Sequence, residues 1–214
     1  MSGSGGLPRD HTQAILETTK RVGALLKEAG VPFALAGSVA AFAHGLPAGF
    51  RHDTDFCLCR EDATAAVAAL ADAGITVVDA PEDWLIKARD GDEEIDLILD
   101  LAGRPVAREL LQRSDVRAVD SVHMPVLAPT DLMDSRLTAL CEHYCDFAEL
   151  LPMARMLRER IDWGLLDRRH RDQPLPDAFL YLLERLCVIE PRKQARHDDD
   201  AQSHAARVPG PTPS

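Results

Sequence analysis

Aromatic residues are scarce in this chain: two Trp, two Tyr and six Phe make up 5% of 214 residues. The core must therefore be built mostly from Leu, Ala, Val and Ile. Long hydrophobic runs are missing as well. No uninterrupted apolar stretch reaches the about 18 residues that a membrane-spanning helix needs, and no charged segment leading into an apolar run opens the chain as a secretory signal would. Positive charge is short, with 24 Lys and Arg against 35 Asp and Glu for a net charge of -11. That balance argues against broad, unspecific binding to nucleic acid, although a local basic patch remains compatible with it. The cysteines (Cys57, Cys59, Cys141, Cys145 and Cys187) are odd in number and form no small-scaffold framework. A cytoplasmic protein with reduced thiols is expected, with no membrane partner. A zinc site is the competing idea, because Cys141 and Cys145 flank His143 on an expected helix and Cys57 and Cys59 sit on an expected strand. Neither pair has the two-residue gap of a zinc knuckle, and burial of free thiols accounts for them more simply.

What is present is an ordinary apolar fraction of 46% in a length that suits one domain, or one domain with a small appendage. Ile15, Val22, Leu25 and Leu26 recur at helical spacing and predict a helix over 11–29, stopped by Gly30. VPFALAG (31–37) reads as a buried strand entering a Gly-Ser turn, and 38–45 as a short helix. Strands are expected over 53–59, 75–79, 84–88 and 94–99, with an Ala-rich helix over 61–73. Asp-Gly in RDGDE pairs the strands 84–88 and 94–99 antiparallel as a hairpin. HMPVL (123–127) reads as a last strand. From Pro129 the pattern turns helical, over 130–145, 147–161 and 176–187. The plan is an α/β (α+β) fold: residues 10–128 form the sheet domain and 129–188 a helical region, between disordered segments at 1–9 and 189–214.

Chemistry concentrates in one stretch. Asp53 and Asp55 are one residue apart on a strand, so both carboxylates leave one face while Thr54, Phe56 and Leu58 leave the other. Two like charges at the start of an apolar strand repel unless a cation neutralises them, and hard oxygen donors suit Mg²⁺. Asp96 stands in EIDLILD inside a strand that otherwise wants burial. If its strand lies beside that of Asp53, three carboxylates meet, as two-metal phosphoryl and nucleotidyl transfer requires. An Asp-x-Asp pair taken alone is an ordinary strand end, and Gly37-Ser38 taken alone is an ordinary helix cap. Their order along the chain gives them weight, because a Gly at a helix start lets backbone approach a phosphate.

AGSVAAFAHG, then RHDTDFCLC, then EEIDLIL resembles the nucleotidyltransferase superfamily with the DNA polymerase β-like fold. The likeness is greatest to compact bacterial nucleotidyltransferase-like proteins, including antibiotic nucleotidyltransferases and toxins of the AbiEii sort. This resemblance implies a Mg²⁺-dependent enzyme, Mn²⁺ being an alternative ion, that transfers a nucleoside monophosphate from a nucleoside triphosphate to an acceptor hydroxyl. Carried over, Gly37 and Ser38 would hold triphosphate, Asp53 and Asp55 would bind metal, and Asp96 would complete the metal site and help deprotonate the acceptor. Two registers are open. Asp53 with Asp55 keeps both acids and is adopted; aligning Arg51 with an Arg that many relatives carry gives Asp55 with Cys57.

Lys87, mid-strand in WLIKA, is expected to reach phosphate or else to snorkel at an edge. Arg51 and His52 flank the acids, Arg51 as a further triphosphate contact. Leu132, Arg136, Leu140 and Tyr144 are expected on one helix face, where Arg136 or Tyr144 could meet substrate. The acceptor is a small molecule, a protein or tRNA, with nucleic acid disfavoured by the charge. The alternative function is an inactive nucleotide-binding regulatory module.

Overall fold

The apolar stripe of the first helix lands on one side of α1 (Arg9–Glu28), where Ile15, Val22 and Leu26 are buried. The computed structural model describes residues 9–49, 53–78 and 82–192. After α1 come β1 (Phe33–Leu35), α2 (Gly37–Ala43), β2 (Asp53–Leu58), α3 (Ala63–Asp72), β3 (Thr76–Val78), β4 (Leu85–Asp90) and β5 (Glu93–Ile98). A small hairpin, β6 (Asp100–Leu101) and β7 (Arg104–Pro105), leads to α4 (Arg108–Gln112), β8 (Asp115–Val119) and β9 (Val122–Val126). The chain then runs through α5 (Pro129–Thr138), α6 (Phe147–Leu157), α7 (Trp163–His170) and α8 (Pro174–Arg185). Among the described residues no helix is long and apolar enough to cross a membrane.

Seven strands form one mixed sheet in the order β3-β4-β5-β2-β1-β9-β8. β2 runs parallel to β5 and β1 parallel to β9, and the remaining neighbours are antiparallel. Thr54, Phe56 and Leu58 of β2 and Ile95 and Leu97 of β5 are all fully buried on one face. α1 covers that face, and the Thr19 and Thr54 hydroxyls share a hydrogen bond of 2.9 Å across it. The other face is left to α2, α5 and the acids.

The elements follow the sequence expectation through β5 and depart from it afterwards. β8 was not foreseen, because DVRAV is a short edge strand whose Val116 is 69% exposed and whose alternation hides no apolar face. α4 is too short to show a period. α7 lay unassigned between two stronger patterns. The helix expected over 130–145 ends at Thr138. Cys141 and Tyr144 instead close a tight turn through reciprocal backbone bonds of 3.0 and 2.9 Å. The Asp146 carboxylate accepts from the Ala148 N–H at 2.9 Å and caps a new helix, whose first residue, Phe147, packs on Phe179 with ring centroids 5.2 Å apart. Tyr144 therefore leaves the face it was expected to share with Arg136, and Cys141 and Cys145 are exposed in a turn rather than stacked on a helix. Residues 189–192, which open the stretch expected to be disordered, are held through Arg192, whose guanidinium bonds Asp177 (2.7 Å), Asp167 (3.1 Å) and Glu184. Expectations for 1–8 and 193–214 lie outside the described residues.

The helical part is tied down by one buried carboxylate. Asp134 on α5 is 1% exposed and accepts from His170 Nε2 at 2.7 Å, from Arg169 at 2.6 Å and from Arg104. Burial alone would push its carboxyl up, but the His170 and Arg104 hydrogen bonds and the two guanidinium charges outweigh that and hold it below the usual carboxylate range. Breaking such a network strands buried charge. Asp134→Ala is expected to lower stability by about 3–5 kcal/mol in urea unfolding, whereas Val116→Ser on the exposed edge should stay within about 0.5 kcal/mol. Equal losses for the two would show that the network does not hold the helices.

Candidate active site

Two rows of side chains cross the outer face of three neighbouring strands. In one, Lys87 of β4 stands opposite Asp96 of β5, which stands opposite Asp55 of β2. In the next, two residues along each strand, Arg89 faces Glu94 and Glu94 faces Asp53. Successive residues on a strand alternate faces, so burying Phe56, Ile95 and Leu97 on one side forces these polar residues onto the other. The expected trio comes together: carboxylate oxygens of Asp53, Asp55 and Asp96 all lie within 4.8 Å of one another. Cys57 shares their side of β2 but is fully buried, and burial pushes its thiol up. The register with both aspartates is the one whose acids converge.

Confinement shows in the acids themselves. Burial, then the charges of Asp53 and Asp96, push the Asp55 carboxyl from 3.8 up to about 7, against the pull of Arg136 and Lys87. Burial also raises Asp96, while the hydrogen bond and charge of Lys87 oppose it. The Lys87 ammonium donates to both Asp96 oxygens, at 3.1 and 3.3 Å. Among the described residues no cation makes such a bond to Asp53 or Asp55.

The Gly-Ser turn sits directly over this cluster. The Ala36 N–H donates to the Asp55 carbonyl at 2.9 Å, which lays the start of α2 along β2. Gly37 has φ +62°, and a Cβ there would fall 1.7 Å from Asp55 Oδ2. Glycine is required twice, for its backbone angle and for its missing side chain. Next to it, the Ser38 hydroxyl is buried with no hydrogen-bond partner among the described residues. A cleft of about 310 Å³ opens here, lined by Ser38, Asp53, Asp55, Trp84, Asp100 and Arg136. Arg136 projects from α5 and forms no salt bridge among the described residues. A second cleft of about 310 Å³ shares Ser38 and Arg136 and continues over Leu46, Leu150 and Met153. A further cavity, about 740 Å³ around Phe33, Met124 and Val122, lies between α1 and the β8–β9 edge and holds none of the expected site residues.

Sequence reasoning missed Trp84, Asp100 and Glu94. Glu94 has the strand parity of Asp96 and could have been found that way. Trp84 and Asp100 enter only through the fold, although Asp100 closes the EIDLILD run and is bonded by Arg60 at 3.0 Å. Arg51 and His52 lie outside the described residues. The only other gathered ligand set among the described residues, Cys59 with Glu61 and Asp62, is engaged by Arg108 at 2.9 Å.

No family model matches the chain, and no curated protein matches it. Among solved structures, ANT(2″)-Ia in complex with adenylyl-2″-tobramycin aligns over 78% of this chain and 97% of its own, at 16% identity and a TM-score of 0.51. The fold is that of a nucleotidyltransferase. Lincomycin-bound LnuA, a lincosamide antibiotic adenylyltransferase, aligns over 71% of this chain and 98% of its own, at 10% identity and a TM-score of 0.46. A tRNA nucleotidyltransferase complexed with primer tRNA and an ATP analogue aligns over 77% and 60%, at 16% identity and a TM-score of 0.37.

In this nucleotidyltransferase fold the acid cluster carries a stability cost with a definite pH dependence. Because the native Asp55 carboxyl titrates near 7 and its unfolded counterpart near 3.8, folding takes up a proton between those values, and stability falls as pH rises through them. Without divalent cations, Asp55→Asn should therefore be more stable than the parent by on the order of 1–3 kcal/mol at pH 8. That gain should shrink as pH is lowered to 5; a pH-independent difference in urea unfolding would refute it. Gly37→Ala should instead lose about 2 kcal/mol or more at any pH, from strain at the positive φ and the collision with Asp55, and a wild-type melting temperature would contradict that.

Proposed function

We propose that the chain is a Mg²⁺-dependent nucleotidyltransferase, with Mn²⁺ able to substitute, that moves a nucleoside monophosphate from a nucleoside triphosphate to an acceptor hydroxyl and releases pyrophosphate. One observation carries this reading. Asp53 and Asp55 converge with Asp96 to within 4.8 Å, and the β2 pair has no cation bonded to it among the described residues. The residues fit a hard divalent ion, since all three are oxygen donors and an unneutralised carboxylate pair is what Mg²⁺ takes alongside substrate phosphate.

Asp53, Asp55 and Asp96 would hold the ion, which when bound supplies charge to the triphosphate and to the departing pyrophosphate. The chain itself does the rest. Gly37, lacking a side chain, leaves room over Asp55, and the unpartnered Ser38 hydroxyl donates to a phosphate oxygen. Arg136 brings a fixed positive charge from the opposite wall of the cleft, and Lys87 adds another beside Asp96. Asp96 accepts the acceptor's hydroxyl proton as that oxygen bonds to the α-phosphorus and the bond from the α-phosphorus to the bridging oxygen breaks. The surplus of acidic residues favours a small-molecule acceptor over nucleic acid. ANT(2″)-Ia, bound to adenylyl-2″-tobramycin, offers a precedent for such an acceptor on this fold.

The test incubates the protein with Mg²⁺, α-labelled nucleoside triphosphates and a panel of hydroxyl acceptors. Pyrophosphate release and labelled product are expected, and Asp53→Ala or Asp55→Ala should reduce both by roughly 10³-fold or more without loss of thermal stability. Absence of both turnover and metal binding would defeat the proposal. Nucleotide binding without turnover, unchanged in Asp96→Asn, would mark a regulatory module instead.

A further inference from the structure

We propose that Trp84 is the platform on which the nucleobase of the triphosphate stacks; this rests on the nucleotidyl-transfer reading above and assigns the part of the cleft that takes the base. The cleft over the acids has two unlike ends. Gly37, Ser38, Asp53, Asp55 and Arg136 line the polar one, and Trp84, Ile98, Leu101 and Ala102 line the other. Ile98, Leu101 and Ala102 follow closely along the chain, and Trp84 meets them across the β4–β5 pairing. Leu85 is registered with Ile98, and the Leu99 N–H donates to the Trp84 carbonyl at 2.8 Å. The charge at that end, Asp100, is already met by Arg60 at 3.0 Å. A nucleoside triphosphate is divided in the same way, into a charged tail and a flat ring system. Its tail tethers the ring within reach whatever the acceptor is.

The indole is placed for such a contact. It is 42% exposed in a chain with few aromatic rings to spare. Among the described residues that line this cleft and the one continuing past Ser38 and Arg136, it is the one aromatic side chain. Its ring packs on no other aromatic, and its Nε1–H makes no hydrogen bond among the described residues. Trp163, by contrast, has its Nε1–H donated to the Arg158 carbonyl at 2.9 Å. The backbone that carries Trp84 is held on both sides, because Arg60 donates to the Asp83 carbonyl at 2.7 Å as well as to Asp100, and Leu99 binds the Trp84 carbonyl. A large ring with few torsions, on an anchored backbone, loses little freedom when a ligand covers it. Stacking one base on such a ring strengthens binding roughly 5- to 150-fold.

Isothermal titration calorimetry of the full chain with Mg²⁺ compares non-hydrolysable α,β-methylene ATP with inorganic tripolyphosphate, which has the charged tail and no base. Trp84→Leu should weaken the nucleotide roughly 5- to 150-fold and leave tripolyphosphate binding unchanged. Trp84→Phe, which keeps a flat ring, should recover most of the loss. A second arm leaves the site intact: Trp163→Phe makes Trp84 the sole tryptophan, and its fluorescence should be quenched by the nucleotide but not by tripolyphosphate. Unchanged nucleotide affinity in Trp84→Leu, an equal loss for both ligands, or an indole that the nucleotide does not quench overturns the inference. Should Trp84→Leu fail to fold, the quenching decides alone. If the folded parent binds neither ligand, the nucleotidyl-transfer reading itself falls, and this inference with it.

Discussion

The parallel register between β2 and β5 is the constraint on which the rest of the site depends. It is set on the face away from the chemistry. Thr54, Phe56, Leu58, Ile95 and Leu97 are buried beneath α1, and a slip of one residue would turn all of them outward. Each large apolar side chain hidden there is worth about 1.5–3 kcal/mol, so the four together contribute on the order of 10 kcal/mol. Two carboxylates within 4.8 Å of each other repel by roughly 3–4 kcal/mol or somewhat more at an effective dielectric of about 20. Burial on one face outweighs repulsion on the other, and the acids are pressed together by a core they do not belong to.

The opposite wall of the cleft is positioned by polar rather than apolar means. α5 supplies Ser135 and Arg136 to the cleft, and the hairpin of β6 and β7 supplies Leu101 and Ala102. Asp134 joins these walls, since it accepts from Arg104 of the hairpin as well as from Arg169 and His170 of α7. Asp131, one turn earlier on α5, accepts from two nitrogens of Arg113, both at 2.7 Å. Two buried carboxylates thus orient α5 from the side that faces away from the cleft. Arg136, which has no salt bridge among the described residues, need not be held by an ion pair, because other residues fix the helix that carries it.

How much of this could be read from the chain varies with the kind of interaction. The acids on β2 and β5 were legible because alternation is a local property of a strand, and Gly37-Ser38 because turn chemistry is local too. The Lys87–Asp96 pair was not, although the hairpin was recognised. Asp-Gly suggests a loop of Asp90 and Gly91, which would set Lys87 against Glu94. The chain instead turns at Gly91 and Asp92, with Gly91 at φ +65°, and this shift of one residue brings Lys87 to Asp96. The end of α5 escaped notice because helical propensity continues past Thr138, while the stop comes from the Asp146 cap and from Phe147 finding Phe179. Trp84, Asp100 and Asp134 act through partners far away in sequence, and no pattern within one segment could have announced them.

Ser38 shows how a cost left standing can point to function. A buried hydroxyl without a partner costs about 1–3 kcal/mol relative to a satisfied one, and Ala at the same place would avoid that cost while suiting a helix better. The chain keeps the hydroxyl beside Gly37, where no side chain intervenes, and above Asp55, whose carboxyl is itself pushed up toward neutrality. Both penalties have the same remedy. A divalent ion would restore the charge on Asp55, and a phosphate oxygen brought with it would accept from Ser38. Unsatisfied groups of opposite need, a donor without an acceptor and anions without a cation, stand within one cleft, and a metal-bound polyphosphate is a single ligand that answers both.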